Sequence, residues 1–389
     1  MCSETIGIYL HIPFCLQKCR YCDFCSYPGR DASEKEAFTE ALCREIRHVA
    51  PLYRDRTVDT LFFGGGTPTL LSSDELRRIC ACLRDCFSIL PDAEWTCEAN
   101  PATLDDTRCH ALRTNGVNRL SIGMQSASDA ELACLGRVHR ASDLPPAVAL
   151  ARKHGFTNIN LDLMMGIPCQ TLASFSDSLD AALSLAPAHL SVYSLQIEPG
   201  TPFFAQKDAL PLPDEDTEEA MYALLLARLH AKGFRHYEIS NFAKEPALCR
   251  HNLRYWLRKD YLGFGPAAHG CVGNRRFYHS ADLSSYIRDP VASRREDPPL
   301  LPGEIEYETI LLALRTDRGI DEIAFSEAFG HGFRSCYAAA LAPFRDAGLL
   351  CCSERYTALT ERGMRLSNTV LAGIFASDAA AHLFPAKIY

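Results

Sequence analysis

The chain has 389 residues, 47% hydrophobic and 23% charged, with a formal net charge of -8; it is long enough for two domains, and its acidic balance argues against nucleic acid as the main partner. Its 18 cysteines mostly stand singly in helix-like or strand-like runs (Cys43, Cys97, Cys109, Cys336), which excludes a small disulfide-framed secreted domain. No basic-then-apolar leader is visible and no run nears the ~18 apolar residues of a membrane span, so a reducing cytoplasm is expected, where clustered cysteines bind metal or do redox chemistry.

The first predicted strand is IGIYLHI, Ile6 to Ile12. It runs into HIPFCLQKCRYCDFCSYPG, which holds four cysteines within eleven positions. A helix is predicted from Ser33 to Val49, with Ser33 and Glu36 as a capping-box pair and Phe38, Leu42, Ile46 and Val49 at helical spacing. VDTLFF is the second strand and ends at Gly64; Ser72 with Glu75 caps the next helix, which carries Leu76, Ile79, Leu83 and Phe87. EWTCEA, NRLSIGM, NINLDLMM and HLSVYSLQI supply four more strands with helical patterns between them. Such alternation predicts parallel β/α units. Six repeats end near Glu198, fewer than the eight of a closed barrel. The expected fold is therefore α/β, a partial (β/α)6 TIM-like barrel over residues 1–200.

Beyond it, residues 201–290 read as a connecting region completing the core, with a proline-rich stretch leading into TEEAMYALLLARLHAKGF. Arg288 to Glu304 reads as a linker. Residues 301–389 are expected to form a small, mainly helical, winged-helix-like domain, in which LLCCSERYTALTERGMRLSNTVLAGIF suggests a two-stranded turn followed by a helix.

Polar residues collect at the strands' C-terminal ends, where β/α barrels carry their chemistry. The cysteine loop follows strand one, Gly64 to Thr67 follow strand two, Glu98 ends strand three, Gln125 follows strand four and Asp162 lies in strand five. Cys15, Cys19 and Cys22 are spaced C-x3-C-x2-C. Structural zinc sites usually join two separated cysteine pairs, and no distant second pair is obvious. One compact triplet suits a [4Fe–4S] cluster whose fourth iron stays open to a small chelating ligand. Zinc stays an alternative, and Cys25 offers a fourth ligand that would make a plain electron carrier. The glycines of FFGGGTP let backbone approach a ligand closely.

C-x3-C-x2-C with Tyr21 before its last cysteine, together with GGGTP, resembles the radical S-adenosylmethionine superfamily. The resemblance implies that S-adenosylmethionine chelates the open iron through its amino and carboxylate groups and is cleaved reductively to methionine and a 5′-deoxyadenosyl radical. YLHIPFC, GGGTPTLL, EANP, GVNRLSIGMQS, LGRVH, NLDLMMGIP and YSLQIEPGTPF follow the order seen in oxygen-independent coproporphyrinogen III oxidases and their relatives. Carried over residue by residue, the likeness implies Cys15, Cys19 and Cys22 as cluster ligands. It implies Tyr9, Tyr21, Phe24, Gly65, Gly66, Thr67, Glu98, Gln125, Arg137 and Asp162 around S-adenosylmethionine. Glu98 and Asp162 suit amine or ribose hydroxyls, and Arg137 suits a carboxylate.

Two features favour the heme-chaperone branch of these relatives over the oxidases. The oxidase has a cysteine two positions after its third ligand, where this chain has Phe24, and a longer segment before its cysteines than the 14 residues here. The chaperone motif H-N-x-x-Y-W is matched by His251, Asn252, Tyr255 and Trp256. Cys25, Ala102 and Cys169 depart from the branch pattern, in which asparagine, glycine and glycine are usual. The resemblance implies a protein that binds heme and delivers it to apo-hemoproteins, respiratory ones among them, served by an electron donor. His251 is the expected axial ligand, with Cys249 as rival and Tyr255 and Trp256 packing the porphyrin. Oxidative decarboxylation of coproporphyrinogen is the alternative activity. Peripheral membrane association and a homodimer stay open.

Overall fold

The computed structural model describes residues 5–383. Six parallel strands form the partial barrel in chain order: β1 (Thr5–Ile12), β2 (Thr57–Gly65), β3 (Ser88–Ala99), β4 (Arg119–Gln125), β5 (Asn158–Met165) and β6 (His189–Ser194). Each pairs with the next in parallel register. The two-residue period of a strand assigns the faces. Ile6, Ile8, Leu10 and Ile12 are fully buried in the main core, while Tyr9, on the opposite face of β1, lines a cavity inside the barrel.

Helices alternate with the strands: α1 (Ala32–Val49), α2 (Ser73–Cys86), α3 (Asp106–Thr114), α4 (Asp129–Leu135), α5 (Leu144–Lys153) and α6 (Leu172–Ser184). The Ser72–Glu75 capping box forms as expected, with both reciprocal bonds present. The Ser33–Glu36 pair does not. Asp31 caps α1 instead, its Oδ1 accepting from the Glu34 N–H at 2.9 Å, while the Ser33 hydroxyl donates to that same oxygen. Glu36 turns away to pair with Arg78. An aspartate in extended conformation just before the helix is as good a cap as a serine, and it leaves Ser33 inside the first turn.

Residues 201–290 contain more regular structure than a connection. After α7 (Glu215–Ala231), strands β7 (Arg235–Glu238) and β8 (Asn241–Ala243) extend the sheet antiparallel beyond β6. Helix α8 (Arg250–Trp256) leads to β9 (Tyr261–Phe264), which lies parallel to β1. The antiparallel strands β10 (His269–Val272) and β11 (Arg275–His279), helix α9 (Leu283–Arg288) and the antiparallel strand β12 (Arg294–Glu296) follow, giving a sheet of 12 strands. The predicted linker from Arg288 to Glu304 thus contains the edge strand β12, paired with β11, and the start of helix α10 (Pro302–Ala313). Charged, proline-rich sequence reads as a linker locally, yet such residues are what an exposed edge strand carries.

The C-terminal residues gather a second core around Ile310, Leu314, Phe333, Tyr337, Leu371 and Ile374. The expected two-stranded turn is present as Leu350–Cys352 against Tyr356–Leu359, followed by helices Glu361–Arg365 and Ser367–Phe375; Ile320–Asp321 adds a third strand. Among the described residues no helix is long and apolar enough to cross a membrane.

Candidate cofactor site at the C-terminal ends of the barrel strands

A cavity of about 450 Å3 opens at the C-terminal ends of β1 to β6. The cysteine loop forms its rim and is anchored along its length. Phe14–Cys15 pairs with Tyr27–Pro28, the Gly66 N–H donates to the Ile12 carbonyl at 2.9 Å, and the Thr67 N–H donates to the Phe14 carbonyl at 2.7 Å. The Arg20 N–H reaches the Leu135 carbonyl at 2.9 Å. Cys15, Cys19 and Cys22 all line the cavity and form no disulfide. Burial pushes the Cys22 thiol up to about 11 and raises Cys15. Three half-buried thiols around one cavity are a donor set suited to a metal that displaces their protons. Cys25 is not among the residues that line the cavity. Its thiol donates to the Tyr27 hydroxyl at 3.7 Å and to the Ala281 carbonyl at 3.6 Å.

The remaining expected residues divide between two spaces. Tyr21, Phe24, Gly65, Gly66, Thr67, Glu98, Gln125, Arg137 and Asp162 line the larger cavity. Phe24 is 61% exposed at its mouth. Tyr9 lines a second cavity of about 230 Å3, which Phe24, Gly65, Glu98, Asp162, Asn252 and Tyr255 also line. The glycines are needed for space: a Cβ on Gly66 would sit 2.5 Å from the Phe14 carbonyl oxygen, and one on Gly123 2.8 Å from an Arg137 nitrogen. Gln125 holds a left-handed φ of 64°, a conformation that costs a non-glycine residue about 1–3 kcal/mol and clusters at ligand sites.

Arg137 donates from Nη2 to the Gly123 carbonyl at 2.9 Å and from Nη1 to the Cys19 sulfur at 3.7 Å. Its Nε is buried without a partner. An unpaired guanidinium donor beside three thiols fits a carboxylate-bearing ligand. Glu98 accepts from the Gly65 N–H at 3.1 Å. Burial, then the neighbouring Asp162, push its carboxyl up to about 8. Asp162 is raised by burial, although it accepts from Asn160 at 2.7 Å and Ser121 at 3.2 Å. Two raised carboxyls facing one cavity suit a cationic ligand.

This electrostatic arrangement has a pH signature. The folded chain holds Glu98 protonated to about pH 8, whereas the ordinary value is 4.5. Between those values the unfolded chain binds fewer protons, so stability of the ligand-free protein falls as pH rises. Glu98→Gln is expected to flatten that fall, with Asp162 supplying the remaining slope, and to stabilise the chain by more than about 1 kcal/mol near pH 8. Denaturant melts of both proteins from about pH 5 to about pH 8 check this; equal slopes would refute it.

The structure places His251 inside the barrel. The residue is 0% exposed. Its Nδ1 lies 3.0 Å from the Thr60 hydroxyl and its Nε2 2.7 Å from the Tyr255 hydroxyl, and the ring stacks on Phe62 at 5.2 Å. Burial lowers its pKa to about 3. With both nitrogens engaged inside the barrel, no lone pair is presented to an iron. The rival Cys249 is equally sealed, its thiol donating to Glu94 at 3.6 Å. Within the H-N-x-x-Y-W segment, Asn252 and Tyr255 line the second cavity. Sequence reading missed Arg119, Ser121, Asn160, Ser191 and Tyr193, which line that cavity too. The available signal was the run of polar residues at alternate positions on β4, β5 and β6.

The Radical SAM superfamily profile matches residues 9–182, and that of the HemN C-terminal domain matches residues 302–366. Heme chaperone HemW of Bacillus subtilis is 37% identical over 369 residues, covering 93% of this chain and 97% of its own. The chain belongs to the HemW family. Heme chaperone HemW of Mycobacterium tuberculosis is 36% identical over 330 residues, covering 82% of this chain and 84% of its own. Among solved structures, coproporphyrinogen III oxidase (HemN) from Escherichia coli, a radical SAM enzyme, superposes with a TM-score of 0.85 at 26% identity, covering 96% of this chain and 91% of its own. HemW-family membership places the chain in the radical SAM superfamily, which implies a [4Fe–4S] cluster and S-adenosylmethionine.

Proposed function

We propose that this chain binds heme and delivers it to apo-hemoproteins, respiratory ones among them, in the cytoplasm. The observation that carries the reading is the 37% identity to a heme chaperone along 93% of the chain, in a molecule that retains a three-thiol cavity. Cys15, Cys19 and Cys22 hold a [4Fe–4S] cluster, and an external electron donor serves it. When bound, the cluster supplies the electron with which a site of this type cleaves S-adenosylmethionine. Arg137 binds the carboxylate of S-adenosylmethionine, Glu98 and Asp162 take its amine or ribose hydroxyls, and the backbone of Gly65, Gly66 and Thr67 lets it approach. Gln125 and Tyr21 complete the wall, Phe24 covers the mouth, and Tyr9 lines the second cavity.

The likeness to HemN gives a second reading, oxidative decarboxylation of coproporphyrinogen. Phe24, in place of the oxidase's cysteine, weighs against it. Anaerobic titration of the cluster-reconstituted chain with hemin, followed by its Soret band and run beside a coproporphyrinogen turnover assay, separates the two. Saturable one-to-one binding without turnover supports the carrier; turnover without a stable hemin complex overturns it. In the same titration, His251→Ala is expected to leave the hemin band unchanged while costing about 2–4 kcal/mol of stability, because it empties a packed site and strands the Thr60 and Tyr255 hydroxyls. A lost band would place the ligand at His251 and require α8 to open.

A further inference from the structure

Far along the sequence from the cysteine loop, three metal-ligating side chains meet in the C-terminal region. Glu306 lies on α10, His331 follows the helix Glu322–Phe329, and His382 sits in the final described turn, Asp378–Leu383. The His331 Nε2 is 3.0 Å from the Glu306 Oε1, and the His382 Nε2 is 3.0 Å from the Glu306 Oε2. All three potential ligand atoms lie within 4.8 Å of one another. We propose that Glu306, His331 and His382 form a binding site for a divalent transition-metal ion, with zinc as its probe.

The tautomers carry the argument. The Nδ1 of His331 lies 3.1 Å from the Phe329 carbonyl, and the Nδ1 of His382 lies 2.9 Å from the Ala379 carbonyl. A carbonyl oxygen only accepts, so each Nδ1 carries the hydrogen. Each neutral ring therefore aims an Nε2 lone pair at a carboxylate oxygen that also offers lone pairs. Two lone pairs at 3.0 Å repel unless positive charge lies between them. That charge is either a proton on each ring or one cation shared by both rings and the carboxylate.

The surroundings favour the cation. Backbone carbonyls on the far nitrogens are the outer-shell partners that orient metal-binding histidines and raise their basicity. The Glu306 carboxylate is itself fixed, 4% exposed and accepting from the Tyr337 hydroxyl at 2.9 Å. Two imidazoles and one carboxylate form a three-ligand set of the kind zinc takes, leaving a position for water; magnesium and calcium prefer oxygen alone. The histidines are 33% and 44% exposed, so an entry path exists. The site joins three chain segments that also share the second core. A Cβ on Gly303 would come within 2.9 Å of the His382 carbonyl oxygen, so α10 accepts the final turn only because that position is glycine. A bound ion would clamp this contact, giving the C-terminal region a stability that depends on metal rather than on the cofactor cavity.

The test uses the full chain with its iron–sulfur cluster reconstituted, so that Cys15, Cys19 and Cys22 are not free to take zinc. After equilibration with Zn2+ and desalting, one zinc per chain beyond the cluster iron is expected, with Co2+ giving the visible bands of a tetrahedral site. His331→Ala and His382→Ala are each expected to weaken uptake at least about tenfold; both rings are partly exposed, so these variants fold. Zn2+ is expected to raise the melting temperature of the wild type and of neither variant. Absence of the extra zinc, or uptake unchanged by both substitutions, would overturn the proposal and leave a metal-free His–Glu–His cluster.

Discussion

Replacing Cys15, Cys19 or Cys22 singly by alanine is expected to abolish assembly of the iron–sulfur cluster, while Cys25→Ala is expected to leave it intact. Iron and sulfide content after anaerobic reconstitution decides this. Each of the first three variants should fall from about four irons per chain to nearly none, because a cluster held at three corners has no spare thiolate. The contrast rests on loop geometry. Hydrogen bonds to β1, β2 and the turn after Asp129–Leu135 hold the first three thiols around the cavity. Cys25 faces Tyr27 and Ala281. Its carbonyl also accepts from the His11 Nε2 at 2.7 Å, and the His11 Nδ1 accepts from the Tyr9 hydroxyl at 3.0 Å. That chain of bonds secures the loop's backbone through a residue whose sulfur is not needed. Loss of iron in Cys25→Ala would show a four-cysteine electron carrier instead.

Gly66→Ala is expected to be the most damaging glycine substitution at the cavity. The added methyl would meet the Phe14 carbonyl oxygen at 2.5 Å and the Ile12 oxygen and Phe14 nitrogen at 2.9 Å each. All three are backbone atoms, so relief requires the start of the cysteine loop to move off β2. Overpacking of this kind costs about 1–3 kcal/mol, and the functional loss should be larger than the stability loss. Binding of S-adenosylmethionine and cluster yield are both expected to drop at least about tenfold. Gly29→Ala, at the far end of the same loop, is the control. It has φ of +71° but nothing within 4 Å of a Cβ, so it should lose about 1–2 kcal/mol of stability and keep its cluster. Equal cluster yields in the two variants would refute the steric argument.

The residues that carry these predictions were legible to different degrees. The six barrel strands were readable because apolar periodicity and length are local properties; β5 begins and ends where its pattern does. The two helix caps show the limit. Ser72 with Glu75 formed the cap that its spacing predicts, whereas Asp31 and Ser33 are both good caps two residues apart, and only the chain's path into α1 chose between them. β9 was not readable, since it is a four-residue strand whose partner β1 lies at the other end of the barrel domain in sequence. His251 shows the same limit in a motif: the residue types were visible, but their direction was not.

The amino-acid sequence by itself determined the barrel's strand order and the spacing of Cys15, Cys19 and Cys22. It also determined the glycines that must face them, because spacing along one loop and alternation along one strand are written in consecutive residues. Only the tertiary structure decided that Cys25 turns out of the cavity and that His251 is sealed between Thr60 and Tyr255. It alone brought Glu306, His331 and His382 around one point. Those outcomes depend on contacts between segments far apart in the chain, and no local pattern specifies which of two equally polar side chains a distant backbone will satisfy.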